Sequence, residues 1–133
     1  LDAGMRKKFY ELLLESYDLH PRLILLSTHH IEELQTLMES IIVVHEGKLL
    51  LREPMEELRE RGIWLAGDGK LVDKQTDGRK VLEQNVAGNF KKVLLDEPFS
   101  SKWKEQARIH GLSIEKAPLQ DYLLSLTNKE ASL

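Results

Sequence analysis

The chain of 133 residues contains no cysteine, so it can form neither a disulfide framework nor a thiolate metal site. It has no apolar run long enough to span a bilayer and no signal-peptide pattern at its N-terminus. A basic excess is also missing: the net charge is -3, whereas a nucleic-acid surface normally collects Lys and Arg. These absences predict a protein of a reducing compartment that binds no nucleic acid and does not insert into a membrane itself.

The composition that remains is typical of a globular protein, with 41% hydrophobic and 31% charged residues. The length suits one ordinary domain or two small ones. Because the chain begins at Leu1 rather than at Met, we expect it to be part of a longer protein.

The most informative stretch covers residues 23–33. Four consecutive aliphatic residues at 23–26 are typical of a strand buried on both faces, as in a parallel α/β sheet. Ser-Thr-His follows at 27–29, and a helix with Glu32 and Glu33 in its first turn is predicted next. A histidine at the carboxyl end of such a strand lies where open α/β sheets bind ligands.

The segments around this stretch alternate between helices and strands. Asp2 can cap a helix that ends before His20-Pro21, because the residue before a proline avoids the helical region. The helix that follows His29 has its apolar face at Ile31, Leu34, Leu37 and Met38. A β-hairpin with strands at 41–45 and 48–52 comes next, and then a short helix that starts after Pro54 and ends at Gly62.

After Gly62, frequent glycines divide the chain into short elements. The pattern predicts strands at 63–66, 80–86, 91–95 and 112–116, with helices at 70–75 and 100–110. This order is βαββαβ, the ferredoxin-like or split βαβ arrangement. A last helix starts at Leu119 and covers residues 119–127. We therefore predict two domains, 1–62 and 63–133.

The order of features in the first half resembles the final third of the ATP-binding subunit of an ABC transporter. These features are Leu-Asp-Ala-Gly at 1–4, a helix, a buried strand, Ser-Thr-His at 27–29, an acidic helix start and a hairpin around Glu46-Gly47-Lys48. The resemblance implies that residues 1–62 are the C-terminal part of a P-loop NTPase-like α/β domain. It also implies that Asp2 is the loop aspartate at the interface of two such subunits and that His29 is the switch histidine. An imidazole suits that role because it can donate a hydrogen bond to a γ-phosphate oxygen.

The resemblance further implies a parent protein that hydrolyses ATP with Mg²⁺. Such a subunit pairs with a second ATP-binding subunit and docks on transmembrane permease subunits at the cytoplasmic face of the cell membrane. The phosphate loop, the Gln loop, the signature motif and the catalytic carboxylates of this family are missing, so we expect the chain alone to bind no ATP and to be inactive. Residues 119–127 resemble the end of the accessory region in exporter-like bacterial ABC ATPases.

Residues 93–100, Val-Leu-Leu-Asp-Glu-Pro-Phe-Ser, look like the Walker B strand of the same family. They lie after His29, the reverse of the family order, so we interpret Asp96 and Glu97 as a coincidental strand end at the turn before a helix. Two other functions stay open. One is a non-catalytic regulatory or dimerisation module after Gly62, and the other is a small α/β enzyme that uses Asp96 and Glu97.

The five histidines have no metal-ligand spacing, so no metal site is predicted. If the chain is a fragment, the strand at 23–26 lacks part of its cover. We then expect copies of the chain to associate.

Overall fold

The computed structural model describes residues 3–19, 31–36 and 38–131, and it divides into two compact units, Leu1–Glu39 and Ser40–Leu133. The protein is mixed α/β, with two antiparallel sheets. The elements are α1 (Ala3–Leu19), α2 (Ile31–Leu34), β1 (Ser40–His45), β2 (Lys48–Pro54), α3 (Met55–Leu58), β3 (Arg61–Asp68), α4 (Gly69–Gln75), β4 (Val81–Ala87), β5 (Phe90–Pro98), α5 (Ser101–Ile109), β6 (Ser113–Lys116) and α6 (Leu119–Ala131). The predicted strand at 23–26 lies outside the described residues, and the boundary predicted between residues 62 and 63 falls within β3.

The first unit contains the helices α1 and α2. Strong helix formers such as Leu, Lys and Glu dominate α1, and the prediction that this helix ends before residue 20 is confirmed. The second helix is shorter than predicted, because it spans only Ile31–Leu34 and the chain has to leave the helix before β1 begins at Ser40. Of its predicted apolar face, Leu37 lies outside the described residues.

The predicted hairpin is confirmed as β1 and β2. Its turn consists of Glu46 and Gly47, which both have positive φ, at 51° and 75°, as the type I′ turn of a two-residue hairpin requires. His45 pairs with Lys48, and a bulge interrupts the register between Val43 and Val44. The short helix α3 follows and buries Met55 and Leu58.

The larger sheet has the strand order β4-β5-β3-β6, and all three neighbouring pairs are antiparallel. The element order from β3 to β6 is βαββαβ, and both orders agree with the predicted split βαβ arrangement. Side chains cap α4 and α5 at their N-termini: Asp68 accepts hydrogen bonds from the first turn of α4, and Ser100 accepts one from Trp103 in α5.

Helices lie on both faces of this sheet. On one face, α4 and α5 cover a cluster of buried apolar side chains from the two central strands and their neighbours, namely Ile63, Leu65, Val72, Val93, Leu95, Ala107 and Leu112. On the other face Trp64 donates a hydrogen bond from Nε1 to Asp121 of α6 at 3.0 Å. Because successive residues of a strand point to opposite faces, the apolar runs at 63–66 in β3 and 93–95 in β5 place buried side chains on both faces of the sheet.

Gly62 does not end a helix, as its position suggested, but lies near the start of β3. It has φ +99°, and an added Cβ would lie 3.2 Å from the Cβ of Ala117. Its carbonyl also accepts a hydrogen bond from the amide of Ala117 at 2.9 Å. A glycine is favoured here because residues with a side chain rarely adopt this backbone conformation, and because an added Cβ would require Ala117 to shift by a few tenths of an ångström.

Candidate functional site

The two residues predicted to carry the function, Asp2 and His29, lie outside the described residues. The described part of this candidate site is therefore the pair of helices that follow them. Ala3, the first residue of α1, comes directly after Asp2, and Ile31, the first residue of α2, comes two residues after His29.

An arginine–carboxylate pair joins these two helices. Arg6 of α1 donates from Nε to Glu33 Oε2 at 3.0 Å and from Nη2 to Glu33 Oε1 at 3.0 Å. This bidentate geometry fixes both the distance and the rotation of the two side chains. Glu33 therefore connects the start of α2 to α1, and its carboxylate is not available as a general base.

A cavity of about 430 Å³ lies between α1 and α2. Its lining comprises Ala3, Lys7, Tyr10, Glu11, Leu14, Glu32, Glu33 and Thr36. Three carboxylates and a single ammonium group would repel a polyphosphate, and the lining includes no glycine-rich turn that could point backbone amides at phosphate oxygens. These residues do not fit ATP or Mg²⁺-bound phosphates.

The adjacent carboxylates Asp96 and Glu97 lie in β5, not at a turn before a helix as expected. The strand continues to Pro98, and α5 begins only at Ser101. The amide of Asp96 donates to the carbonyl of Lys80 at 3.0 Å, and the amide of Phe99 donates to the carbonyl of Glu60 at 2.7 Å. Backbone pairing with neighbouring segments thus extends the strand past the point where its sequence suggested an end.

Asp96 contacts α6 and two cationic side chains. Tyr122 donates a hydrogen bond from its hydroxyl to Oδ1 at 3.0 Å, Arg61 Nε lies 3.9 Å from the same oxygen, and Lys80 Nζ lies 3.4 Å from Oδ2. Burial raises the pKa of Tyr122 to about 12, and the charge of Asp96 adds to this effect. A phenol with so high a pKa stays a hydrogen-bond donor at neutral pH, so the contact stabilises the packing of α6.

Glu97 points to the opposite face of the sheet, toward α5. Arg79 donates from Nη1 to its Oε1 at 3.0 Å and also lies over the ring of Trp103, with 5.6 Å from Cζ to the ring centroid. The other oxygen, Oε2, is buried and makes no hydrogen bond to a described residue. Because Asp96 and Glu97 lie on different faces, they cannot act together on one substrate or one metal ion.

A cavity of about 370 Å³ adjoins Glu97 and is lined by Gln75, Arg79, Glu97, Pro98, Ser100, Lys102, Trp103 and Gln106. Its single hydroxyl belongs to Ser100, which already accepts the hydrogen bond that caps α5. The lining includes no histidine, so the cavity is not arranged for nucleophilic catalysis of the serine–histidine kind.

Within residues 3–19, 31–36 and 38–131, no three His, Asp or Glu side chains are close enough together to share a metal ion. His45 is half-buried in the hairpin, and His110 follows the last turn of α5. In the same part of the chain, no helix is both long enough and apolar enough to cross a membrane.

Sequence reasoning missed the partners of the two carboxylates. Arg61 begins β3, Arg79 and Lys80 directly precede β4, and Tyr122 lies on the apolar face of α6. One sequence signal could have predicted these partners. The basic residues lie at the starts of β3 and β4, and the start of a strand lies beside the end of its antiparallel neighbour, here β5.

No protein-family model matches this chain, and no curated protein matches it.

Proposed function

We propose that this chain is part of the ATP-binding and ATP-hydrolysing subunit of an ABC transporter, to which it contributes Asp2 and the switch histidine His29. The observation that carries the proposal is the order of residues 1–51: an aspartate before a helix, Ser-Thr-His before an acidic helix start, and a hairpin with Gly47-Lys48 at its turn. The positions of α1, α2 and the β1–β2 hairpin support this order, since each begins where the motif order requires.

In this proposal His29 donates a hydrogen bond to a γ-phosphate oxygen of ATP and helps to position the attacking water. Asp2 crosses to the second ATP-binding subunit. The described residues do not fit the phosphates or Mg²⁺, so the phosphate loop and the catalytic carboxylates belong to other parts of the complete enzyme. The complete subunit docks on transmembrane permease subunits and works at the cytoplasmic face of the membrane.

The region from β3 to α6 is the accessory part of the proposed subunit. It contains the apolar cluster that α4 and α5 cover on the larger sheet, and its adjacent carboxylates contact Tyr122 and basic side chains. These observations favour a non-catalytic role, and they support regulation or dimerisation as the alternative function of the whole chain. They disfavour a small enzyme that uses Asp96 and Glu97.

The coding sequence before Leu1 provides the first test. An upstream apolar strand that ends in Asp-Glu, preceded by a phosphate loop, supports the proposal, whereas a start codon directly before Leu1 contradicts it.

The second test measures ATP hydrolysis by the protein that this coding sequence specifies. We expect His29→Ala to lower the hydrolysis rate at least about a hundredfold while ATP binding persists, because a positioned proton donor contributes that much to a rate. The matched control is His30→Ala, which should leave the rate nearly unchanged. Equal losses in the two variants would contradict the assigned role of His29.

A further inference from the structure

Along α1, four large apolar side chains form a stripe that is exposed to solvent. Met5, Phe9, Leu12 and Leu19 follow one another at intervals of four, three and seven residues, and between 47% and 76% of each residue is exposed. These intervals place all four on one side of the helix, in the a and d pattern of helices that pair along a seam. We call this surface the α1 stripe.

The α1 stripe is on a different side of the helix from the contacts with α2. Arg6 forms the bidentate pair with Glu33, and Tyr10, Leu13 and Tyr17 on the same side as Arg6 are half-buried. The helix is therefore positioned within its own unit by one side, and the α1 stripe is left facing solvent. Ser16, which is half-buried, occupies the seam position between Leu12 and Leu19 and interrupts the apolar surface there. Exposed large apolar side chains gathered on one side of a helix are typical of an interaction site.

The charges of α1 indicate which partner fits this surface. Arg6, Lys7 and Lys8 lie in its first half, and Glu11, Glu15 and Asp18 lie in its second half. This order is unfavourable for a lone helix, because the helix dipole attracts acidic residues at the N-terminus and basic residues at the C-terminus. Arg6 pairs with Glu33, and Lys7 and Glu11 line the cavity beside α2, so these residues do not face the α1 stripe. Lys8 and Glu15 flank the stripe, and a second copy of the helix running in the opposite direction would place each beside a residue of opposite charge.

Lys8 and Glu15 specify the orientation more closely. They are seven residues apart, both are exposed, and both flank the same edge of the α1 stripe. When two identical helices pair antiparallel, residues on the same edge of the seam face one another, so Lys8 of each copy meets Glu15 of the other. In a parallel pair this edge would instead face the opposite edge, where Leu13 lies.

We infer that the α1 stripe is a docking surface for a second copy of this chain. The two helices run antiparallel about a two-fold axis, bury the four apolar side chains against each other and form two Lys8–Glu15 pairs. The inference does not rest on the proposed transporter function. It also differs from the association expected from residues 23–26, because it assigns the contact to α1.

The first experiment measures the mass of the full chain by sedimentation equilibrium between about 1 μM and about 1 mM, a range suited to weak association. We expect a monomer–dimer equilibrium that Leu12→Asp weakens at least about tenfold. Val44→Asp is the matched control, because Val44 is similarly exposed but lies on the β1–β2 hairpin. A monomer at every concentration, a dimer that Leu12→Asp leaves intact, or a dimer that Val44→Asp disrupts overturns the inference.

Charge reversal tests the orientation and does not depend on a core substitution. Lys8→Glu and Glu15→Lys should each weaken the dimer about tenfold, because each creates two like-charge contacts. The double variant restores opposite charges across the antiparallel seam, so it should dimerise within about threefold of the original chain. Additive weakening in the double variant would overturn the antiparallel arrangement.

Discussion

The two compact units bury their apolar side chains in different ways. In the second unit, β3 and β5 place Ile63, Leu65 and Leu94 at or near complete burial, with helices on both faces of the sheet. In the first unit none of the residues of α1, all of which the structure describes, is buried. Both regions have a regular apolar pattern in the sequence. A periodic pattern in the sequence therefore predicts that a helix or strand has an apolar face. Only the structure shows whether other parts of the same chain bury that face.

Truncation of an apolar side chain should therefore destabilise the protein more in the core of the second unit than on α1 of the first. Leu65→Ala removes a completely buried side chain from the centre of the sheet, and we expect it to lower the free energy of unfolding by about 3 kcal/mol, as large-to-small core substitutions do. The matched variant Leu12→Ala, on the exposed α1 stripe, should change it by less than about 0.5 kcal/mol when the chain is monomeric. Urea unfolding of both variants measures the difference. Equal losses of unfolding free energy would contradict the contrast between a buried core and an exposed helix.

The burial of Tyr122, with its contact to Asp96 as a smaller contribution, makes the stability of the second unit depend on pH. Because the pKa of Tyr122 is raised to about 12 in the folded protein, the neutral phenol favours folding, and this contribution is complete below about pH 10. It is lost as pH rises from about 10 to about 12, and a pKa difference of about 2 corresponds to about 3 kcal/mol. Tyr122→Phe should flatten the decline in unfolding free energy over this range. Parallel curves for the two proteins would contradict the assignment.

A substitution at Gly62 tests how much the packing at the start of β3 contributes to the free energy of unfolding. We expect Gly62→Ala to lower the free energy of unfolding by about 2 kcal/mol, because a side chain is strained at φ +99° and would press on Ala117. Gly47→Ala, also at positive φ but in the open hairpin turn, provides a control with the same backbone strain and no close neighbour. If the two variants lose the same stability, then packing against residue 117 contributes nothing.

The smallest effect is expected in the first unit. The Arg6–Glu33 pair is partly exposed, so its coupling energy should be below about 1 kcal/mol. A double-mutant cycle with Arg6→Gln and Glu33→Gln measures this coupling through thermal unfolding. The corresponding cycle for Arg108 and Glu105, a more exposed pair within α5, should give a value near zero. A larger coupling in the α5 pair would contradict this ranking.

Local signals in the sequence were enough to predict most of the second unit. The hairpin follows from a Glu-Gly turn between two apolar runs, and the βαββαβ order follows from glycine breaks between short strands and helices. The errors have tertiary causes. Gly62 fits a helix end as well as a strand start. Asp96 and Glu97 lie in a strand because backbone hydrogen bonds to residues 60 and 80 extend β5 past them.

The candidate site could be predicted only as far as its motif order. Asp2 and His29 remain predictions, since both lie outside the described residues. The ion pair between Arg6 and Glu33 has no sequence signal, because the two residues are 27 positions apart and each one alone reads as an exposed charge on its helix.

Amide hydrogen exchange of the full chain at two protein concentrations tests the contrast between the units most directly. We predict that the amides of β3 and β5 exchange slowly and equally at both concentrations, because their protection comes from a core within one chain. The amides of α1 should exchange faster in the dilute sample and become protected in the concentrated one. Slow exchange of α1 in the dilute sample, matching that of β5, would contradict the account.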